Sequence, residues 1–522
     1  MASKPEEIMQ FNRSSMNVHP QVFFFSVAII LVFILFTLLN LDTAESVFAQ
    51  LMDGTSTAFG WLFILGVQVC LLFCLYLAMS RFGHIRLGGP DATPEFSRPA
   101  WFSMLFCAGM GIGLMFWGVA EPISHFQNPP RIEGLTTEAA VRAMDLTFLH
   151  WGFHAWSIYA LVGLSLAYFS FNLKLPLTIR SAFYPVLGRH IHGNIGNMID
   201  ILAVVATLFG VATSLGLGVA QINTGLNYLF DIEVSSTVQI GLIFFITTIA
   251  TLSVVSGLNR GILRLSQFNF YAAIILLLFL LVLGPTLFLL KSYIQNTGHY
   301  LQNLLTLGSW TETYSRDPGW IGSWTIFYWA WWIAWSPFVG MFIARISKGR
   351  TVREFILVVL FIPSALTFIW ITTFGGTAIF NVLNGDTSIL VAVEQNVATA
   401  LFELLDGFPL ASVTSVLSIM LIFVFFVTSS DSGSLVIDII TAGGNLDPPI
   451  RQRIFWAVTE GVVAAVLLIG GGLTALRAAT ISSGLPFMIV LMFMGYCLLK
   501  AFRKEMPPYP YNSNEVSTKK TD

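Results

Sequence analysis

Twelve stretches of this chain are each apolar over about 20 residues or more, the length a helix needs to cross a bilayer. They run approximately over 21–42, 57–80, 98–119, 143–171, 194–229, 236–257, 266–292, 320–344, 352–379, 409–430, 452–470 and 476–501 of 522 residues. Within hydrocarbon each backbone group needs a partner from its own segment, so apolar runs of this length fold as helices. The expected fold is an all-α polytopic membrane protein with 12 transmembrane helices. A content of 55% hydrophobic and 10% charged residues excludes an ordinary soluble domain. A net charge of -2 without a long basic run excludes a nucleic-acid partner. Cys70, Cys74, Cys107 and Cys497 lie in apolar stretches without paired spacing, so they indicate neither a disulfide frame nor a metal site.

Basic residues orient the chain. With both ends in the cytoplasm, the inward loops and tails hold 21 of the 26 Lys and Arg residues, and only Arg131, Arg142, Lys291, Arg316 and Arg477 face outward. This predicts a multi-pass protein of the cell membrane, with a polar cytoplasmic tail over 1–20 and another over 502–522. Two peripheral helices fill 21–80, five spans fill 98–292, an extracellular loop covers 293–319 and five more spans fill 320–501. Val393 to Leu405 reads as a short surface helix.

The eighth span carries Trp329-Ala-Trp-Trp-Ile-Ala-Trp335. On a helix Trp331, Trp332 and Trp335 fall within roughly a 100° arc, so three indole faces share one side. Indole N–H groups want partners and Trp normally settles at the membrane interface. A mid-span cluster therefore points to something held other than lipid. Indole faces attract a cation that cannot donate hydrogen bonds, such as a quaternary ammonium, by about 0.5–1 kcal/mol per exposed contact and about 2 or more when desolvated. Spacing alone leaves an aromatic belt or packed aromatic core open. A second array tilts the balance, because Trp151, Trp156 and Tyr159 of the fourth span share roughly a 140° arc.

Interruptions mark where such a ligand could sit. Gly109-Met110-Gly111-Ile112-Gly113 lies mid-span, where alternating glycines let a helix unwind and expose its carbonyls. Pro337 follows the tryptophan cluster and can kink the eighth helix. The two interrupted segments are five spans apart, as expected of two inverted five-helix repeats, spans 3 to 7 and 8 to 12. In the tenth span Thr428 and Ser429 offer hard oxygen ligands suited to sodium, unless they bond back to their own helix. His150 and His154 have the i,i+4 spacing of zinc ligands but lack a neighbouring Glu or third ligand in sequence. Glu121, Asp145 and Asp200 read as structural polar groups. No nucleophile–base pair or phosphate loop is visible, so the chain is not expected to be an enzyme.

AGMGIGLMFWGVAEP at 108–122, HWGFHAWSIYA at 150–160, FYWAWWIAWSPFVGMFIARISKGRT at 327–351 and VTSSDSGS at 427–434 resemble the betaine/choline/carnitine transporter family, closest in motif to sodium-coupled glycine betaine symporters. The resemblance covers nearly the whole chain. It implies a homotrimer of protomers, each with two peripheral helices and a leucine-transporter-type inverted repeat of 5+5 helices. It also implies a substrate cage of Trp151, Trp156, Tyr159, Trp331, Trp332 and Trp335, with Phe116 as an aromatic gate and Gly109, Met110 and Gly111 facing the substrate. A sodium site would use carbonyls of Cys107, Met110 and Phe425 with the hydroxyls of Thr428 and Ser429. A second would involve Thr207 and Phe338, although Val211 stands where the symporters carry a further hydroxyl. Choline-transporting, proton-coupled relatives tend to carry Asp at the position of Gly113, so glycine there favours a zwitterion.

The function this implies is sodium-coupled import of a betaine-like quaternary ammonium or sulfonium solute by alternating access, with no cofactor beyond the coupling ion. Proton-coupled choline uptake, ion-independent carnitine exchange and a non-transporting quaternary-amine sensor are the alternatives.

Overall fold

A computed structural model describes residues 16–109, 111–255, 259–315 and 319–506, and of 106–109, 254–255 and 259–266 the backbone alone. Eighteen α-helices and no strand occur among these residues. The first nine are α1 (Pro20–Leu39), α2 (Leu41–Met79), α3 (Arg98–Gly109), α4 (Ile112–Gln127), α5 (Thr137–Trp151), α6 (Phe153–Phe171), α7 (Tyr184–Leu187), α8 (Asn194–Phe230) and α9 (Ser236–Val255). The others are α10 (Asn259–Leu283), α11 (Thr286–Gly308), α12 (Phe327–Ile346), α13 (Val352–Leu383), α14 (Ser388–Gln395), α15 (Ala400–Asp406), α16 (Ala411–Thr441), α17 (Ile450–Ile469) and α18 (Gly472–Glu505). The expected all-helical, polytopic membrane protein is what the chain forms.

Ten helical stretches among the described residues are long and apolar enough to span a membrane, or eleven if α10 and α11, bent by 108°, count as one span. The expected twelve is not reached by this measure. The reason lies at 98–119, where α3 has 12 residues and α4 has 16, each too short to cross alone. Met110 lies outside the described residues, and Gly111 follows in extended conformation at φ -168° and ψ -174°. The third span is thus broken where the glycines predict.

The eighth span is not broken. Pro337 sits inside a helix that runs on from Phe327 to Ile346. Proline removes the amide that would reach the carbonyl four residues back, at Ile333. The Ser336 hydroxyl donates to that carbonyl at 2.7 Å, so it is not orphaned. Two further expectations change. The loop placed at 293–319 is helical as far as Gly308, because Leu289, Asn296, Tyr300 and Leu307 fall on one helical face that α11 buries. The surface helix placed at Val393–Leu405 is two helices, α14 and α15, divided where the Asn396 side chain accepts from the Ala398 amide at 3.0 Å. It is not a surface element either, since Leu401, Phe402, Leu404 and Leu405 are buried.

α12 runs through the centre, packed on α6, α8 and α18. Its approach to α6 is close because both carry glycine at the crossing. A Cβ on Gly163 would lie 3.2 Å from the Gly340 carbonyl, and one on Gly340 would lie 3.1 Å from the Gly163 amide. Small residues on facing helices let backbones meet where lipid supplies no hydrophobic drive for association. This contact brings the two tryptophan-bearing spans together.

Candidate functional site

The break at Gly111, the junction of α5 and α6 at Gly152, and the middle of α12 converge on one pocket. Its walls are Gly111, Gly113, Leu114, Trp151, Ala155, Trp156, Tyr159, Ser214, Trp331, Trp332, Trp335 and Thr367. They surround about 490 Å³ of space free of protein atoms, a figure that includes open solvent. All six aromatic residues expected from the fourth and eighth spans are there. No charged residue lines the pocket among the described residues.

Two of the rings stack and the others cross them, which makes a box. Trp331 and Trp332 lie parallel, centroids 4.8 Å apart and planes 12° apart. Trp151 meets Trp332 edge to face at 4.9 Å, and Tyr159 does so at 6.3 Å. Trp156 closes on Tyr159 at 5.4 Å and 76°. Crossed planes present ring faces and edges from several directions, which suits a compact apolar cation.

Three of the five indoles are fixed at their nitrogens. Trp332 Nε1 donates to the His150 carbonyl at 2.8 Å, Trp331 Nε1 to Ser214 Oγ at 3.2 Å, and Trp151 Nε1 to Glu121 Oε2 at 2.7 Å. By contrast, the Tyr159 hydroxyl and Trp335 Nε1 are buried donors without a partner among the described residues. Orphaned donors in a pocket wall are uncommon enough to call for a ligand or solvent partner.

Gly113 is required by the cage itself. A Cβ there would come within 2.8 Å of Trp151 and 3.0 Å of Trp331, both at ring atoms. Such distances force the neighbours to shift, so an aspartate at this position is incompatible with the rings where they stand.

Glu121 holds a larger place than its sequence context suggests. Fully buried on α4, it accepts from His150 Nδ1 at 2.6 Å and His125 Nε2 at 3.2 Å through Oε1. Oε2 accepts from both Trp151 Nε1 and the Tyr328 hydroxyl. Glu121, His125 and His150 present ligand atoms within 4.8 Å of one another, a set that could hold a metal ion. Both carboxylate oxygens are already used by these contacts. His154 belongs to a different environment, bonded to Gln68 at 2.9 Å, so the i,i+4 histidines do not converge.

Other expected residues fall outside the pocket. Phe116 is buried against Trp117 at 4.8 Å and does not line it. Met110 lies outside the described residues, and of Cys107 and Gly109 only the backbone is described. The Thr428 hydroxyl donates to the carbonyls of Val424 at 2.9 Å and Phe425 at 3.2 Å. That is the back-bonding alternative, which leaves the hydroxyl's lone pairs available to an ion. Ser429 is half-buried beside it. Thr207 likewise bonds back to the Ala203 carbonyl at 2.7 Å, and Phe338 packs edge-on against Trp335 at 5.4 Å. Sequence reasoning missed Ser214 and Thr367, from α8 and α13, where it read no cage-forming pattern, and Ala155 and Leu114, apolar neighbours inside the aromatic and glycine stretches it did single out.

A multi-helix membrane protein with a central aromatic pocket and a broken helix at its wall has the build of a solute transporter. The family model for the betaine/carnitine/choline family transporter (BCCT) matches residues 21–507. An uncharacterized transporter of Mycobacterium bovis is 50% identical over 502 residues, covering 95% of this chain and 84% of that protein. A glycine betaine transporter of Acinetobacter baylyi is 47% identical over 489 residues, covering 93% and 74%. A glycine betaine/proline/choline transporter of Vibrio parahaemolyticus is 46% identical over 507 residues, covering 94% and 91%. The chain belongs to the betaine/carnitine/choline transporter family.

Proposed function

We propose that this transporter imports a betaine-like zwitterion, a quaternary ammonium or sulfonium compatible solute, by sodium-coupled symport. The observation that carries the substrate class is the pocket wall: five indoles and a tyrosine, with no acidic residue among the described residues that line it. An onium head gains from the ring faces without needing a protein anion. The substrate's own carboxylate then seeks donors, and the unpartnered Tyr159 hydroxyl and Trp335 N–H belong to residues of that wall. Gly113 favours betaine over choline, because choline lacks an internal anion and a carboxylate at that position would have to displace Trp151 or Trp331.

Sodium coupling rests on Thr428 and Ser429 together with the broken third span. Oxygen ligands without formal charge suit sodium, and an ion that binds one conformation better biases the cycle toward it. Binding of ion and solute to the same outward-open state makes each raise the affinity for the other. The arrangement we favour is a homotrimer in the cell membrane, both termini cytoplasmic, each protomer working through two inverted repeats of five helices.

Uptake of labelled glycine betaine into proteoliposomes under an inward sodium gradient tests this reading. Replacing sodium by potassium is expected to abolish uptake, and Ser429→Ala to raise the sodium concentration for half-maximal uptake several-fold. Uptake indifferent to sodium but driven by a proton gradient would overturn the coupling while leaving the substrate class intact.

A further inference from the structure

The cage has no anion in its wall, yet a buried carboxylate stands immediately behind one of its rings. We infer that Glu121 is a positioning and specificity-determining residue for the onium site, fixing the Trp151 and Tyr328 rings and lending the pocket a negative potential from behind its aromatic lining. The inference rests on the transport reading given above.

Geometry supplies the first part. One oxygen of Glu121 takes donors from α5 and α12, the Trp151 indole and the Tyr328 hydroxyl. The other takes the imidazoles of His150 on α5 and His125 on α4 itself. His150 extends the connection, because its Nε2 meets Thr325 Oγ1 at 2.9 Å and its carbonyl receives the Trp332 N–H at 2.8 Å. Two cage indoles on different spans are therefore tied to the same few groups. Tyr328 adds a third link, its ring packed 5.8 Å from Trp332 and 6.2 Å from Trp331. A change at Glu121 is transmitted to three of the rings that form the box.

Electrostatics supplies the second part. An indole that donates its N–H to a carboxylate becomes richer in electron density, and cation–π attraction grows with the negative potential of the ring face. The carboxylate is fully buried, where a charge is screened less than at a surface. Arg477 also faces Tyr328 and Glu121 electrostatically, so this potential is shared with one fixed cation. Glu121 touches the cage ring Trp151, whereas Arg477 lies against Trp117, Trp324 and Phe327, which do not line the pocket, so the nearer charge is the negative one and it acts on net charge. It attracts choline, which is cationic overall, more than betaine, whose own carboxylate offsets the attraction.

Choline and glycine betaine binding to the purified full-length protein, followed by tryptophan fluorescence and calorimetry, separates these contributions. Glu121→Gln keeps size but removes charge, and is expected to weaken choline about tenfold and betaine about threefold or less. Glu121→Asp is expected to recover the choline-to-betaine ratio while remaining weaker for both, since it restores charge with altered reach. Tyr328→Phe removes one donor from the same oxygen, leaving more negative potential for the pocket, and is expected to shift the ratio toward choline about twofold. Equal losses for the two ligands in Glu121→Gln would overturn the specificity role. If Glu121→Gln does not fold, an unmoved ratio in Tyr328→Phe would overturn it instead. A wild-type protein that binds neither ligand would sink the transport reading and this inference together.

Discussion

Two aromatic clusters occupy successive stretches of the eighth span, and they differ in what fills them. Toward its start, Trp324 and Phe327 join Trp117 around the guanidinium of Arg477, which lies 5.5, 5.0 and 5.6 Å from the three ring centroids. Further along, Trp331, Trp332 and Trp335 join Trp151, Trp156 and Tyr159 around a pocket with no protein cation among its lining residues. The same chemistry thus appears once satisfied by the chain itself and once left for a ligand. Arg477 shows that rings in this setting hold a cation, with its Nε buried and without a hydrogen-bond partner among the described residues. The cage can be read as the same device with the cation made exchangeable.

The sharpest way to break this comparison is to remove a ring from the open cluster. Trp332→Ala deletes the ring that faces Trp331, Trp151 and Tyr159, and is expected to weaken betaine binding by about 100-fold, in line with the loss of a buried aromatic hot spot. Calorimetry on the purified protein reads this directly. An affinity within threefold of wild type would mean that the cage is packing alone.

Gly113→Asp tests whether the open cluster can be given a cation-seeking anion of its own. The new side chain must displace Trp151 or Trp331, so betaine affinity is expected to fall about tenfold, with choline falling less because the added charge partly offsets the damage. A competition panel of betaine and choline against one labelled ligand measures the ratio.

Arg477→Met tests the filled cluster. It keeps an apolar stem among the rings and removes the charge, and is expected to cost about 1–2 kcal/mol of stability from lost cation–π contact. Thermal unfolding would show a lower midpoint, while betaine affinity stays within about threefold. A loss of binding as large as that of Trp332→Ala would show that the two clusters are one functional unit.

Much of this was legible along the chain. The apolar runs predicted helices because a bilayer leaves the backbone no other partner, and the i, i+3 and i+4 spacings placed Trp331, Trp332 and Trp335 on one side before any packing was known. The glycine run marked a break because that weakness is local. Glu121 was not legible as more than a structural group. Its partners His150, Trp151 and Tyr328 stand 29, 30 and 207 residues away, and only the folded chain brings them to it. Pro337 marked an interruption that the helix runs through, with Ser336 serving the freed Ile333 carbonyl.

The sequence by itself determined what is repetitive and local: helices that cross the membrane, aromatic faces by their spacing, and the place where one helix gives way. Tertiary structure decided which faces meet, which indole nitrogens find acceptors and which donors stay free, and that a buried carboxylate stands behind the cage. Helical periodicity is fixed by bonds within a few residues, whereas a pocket is made by side chains whose distances depend on how whole helices pack.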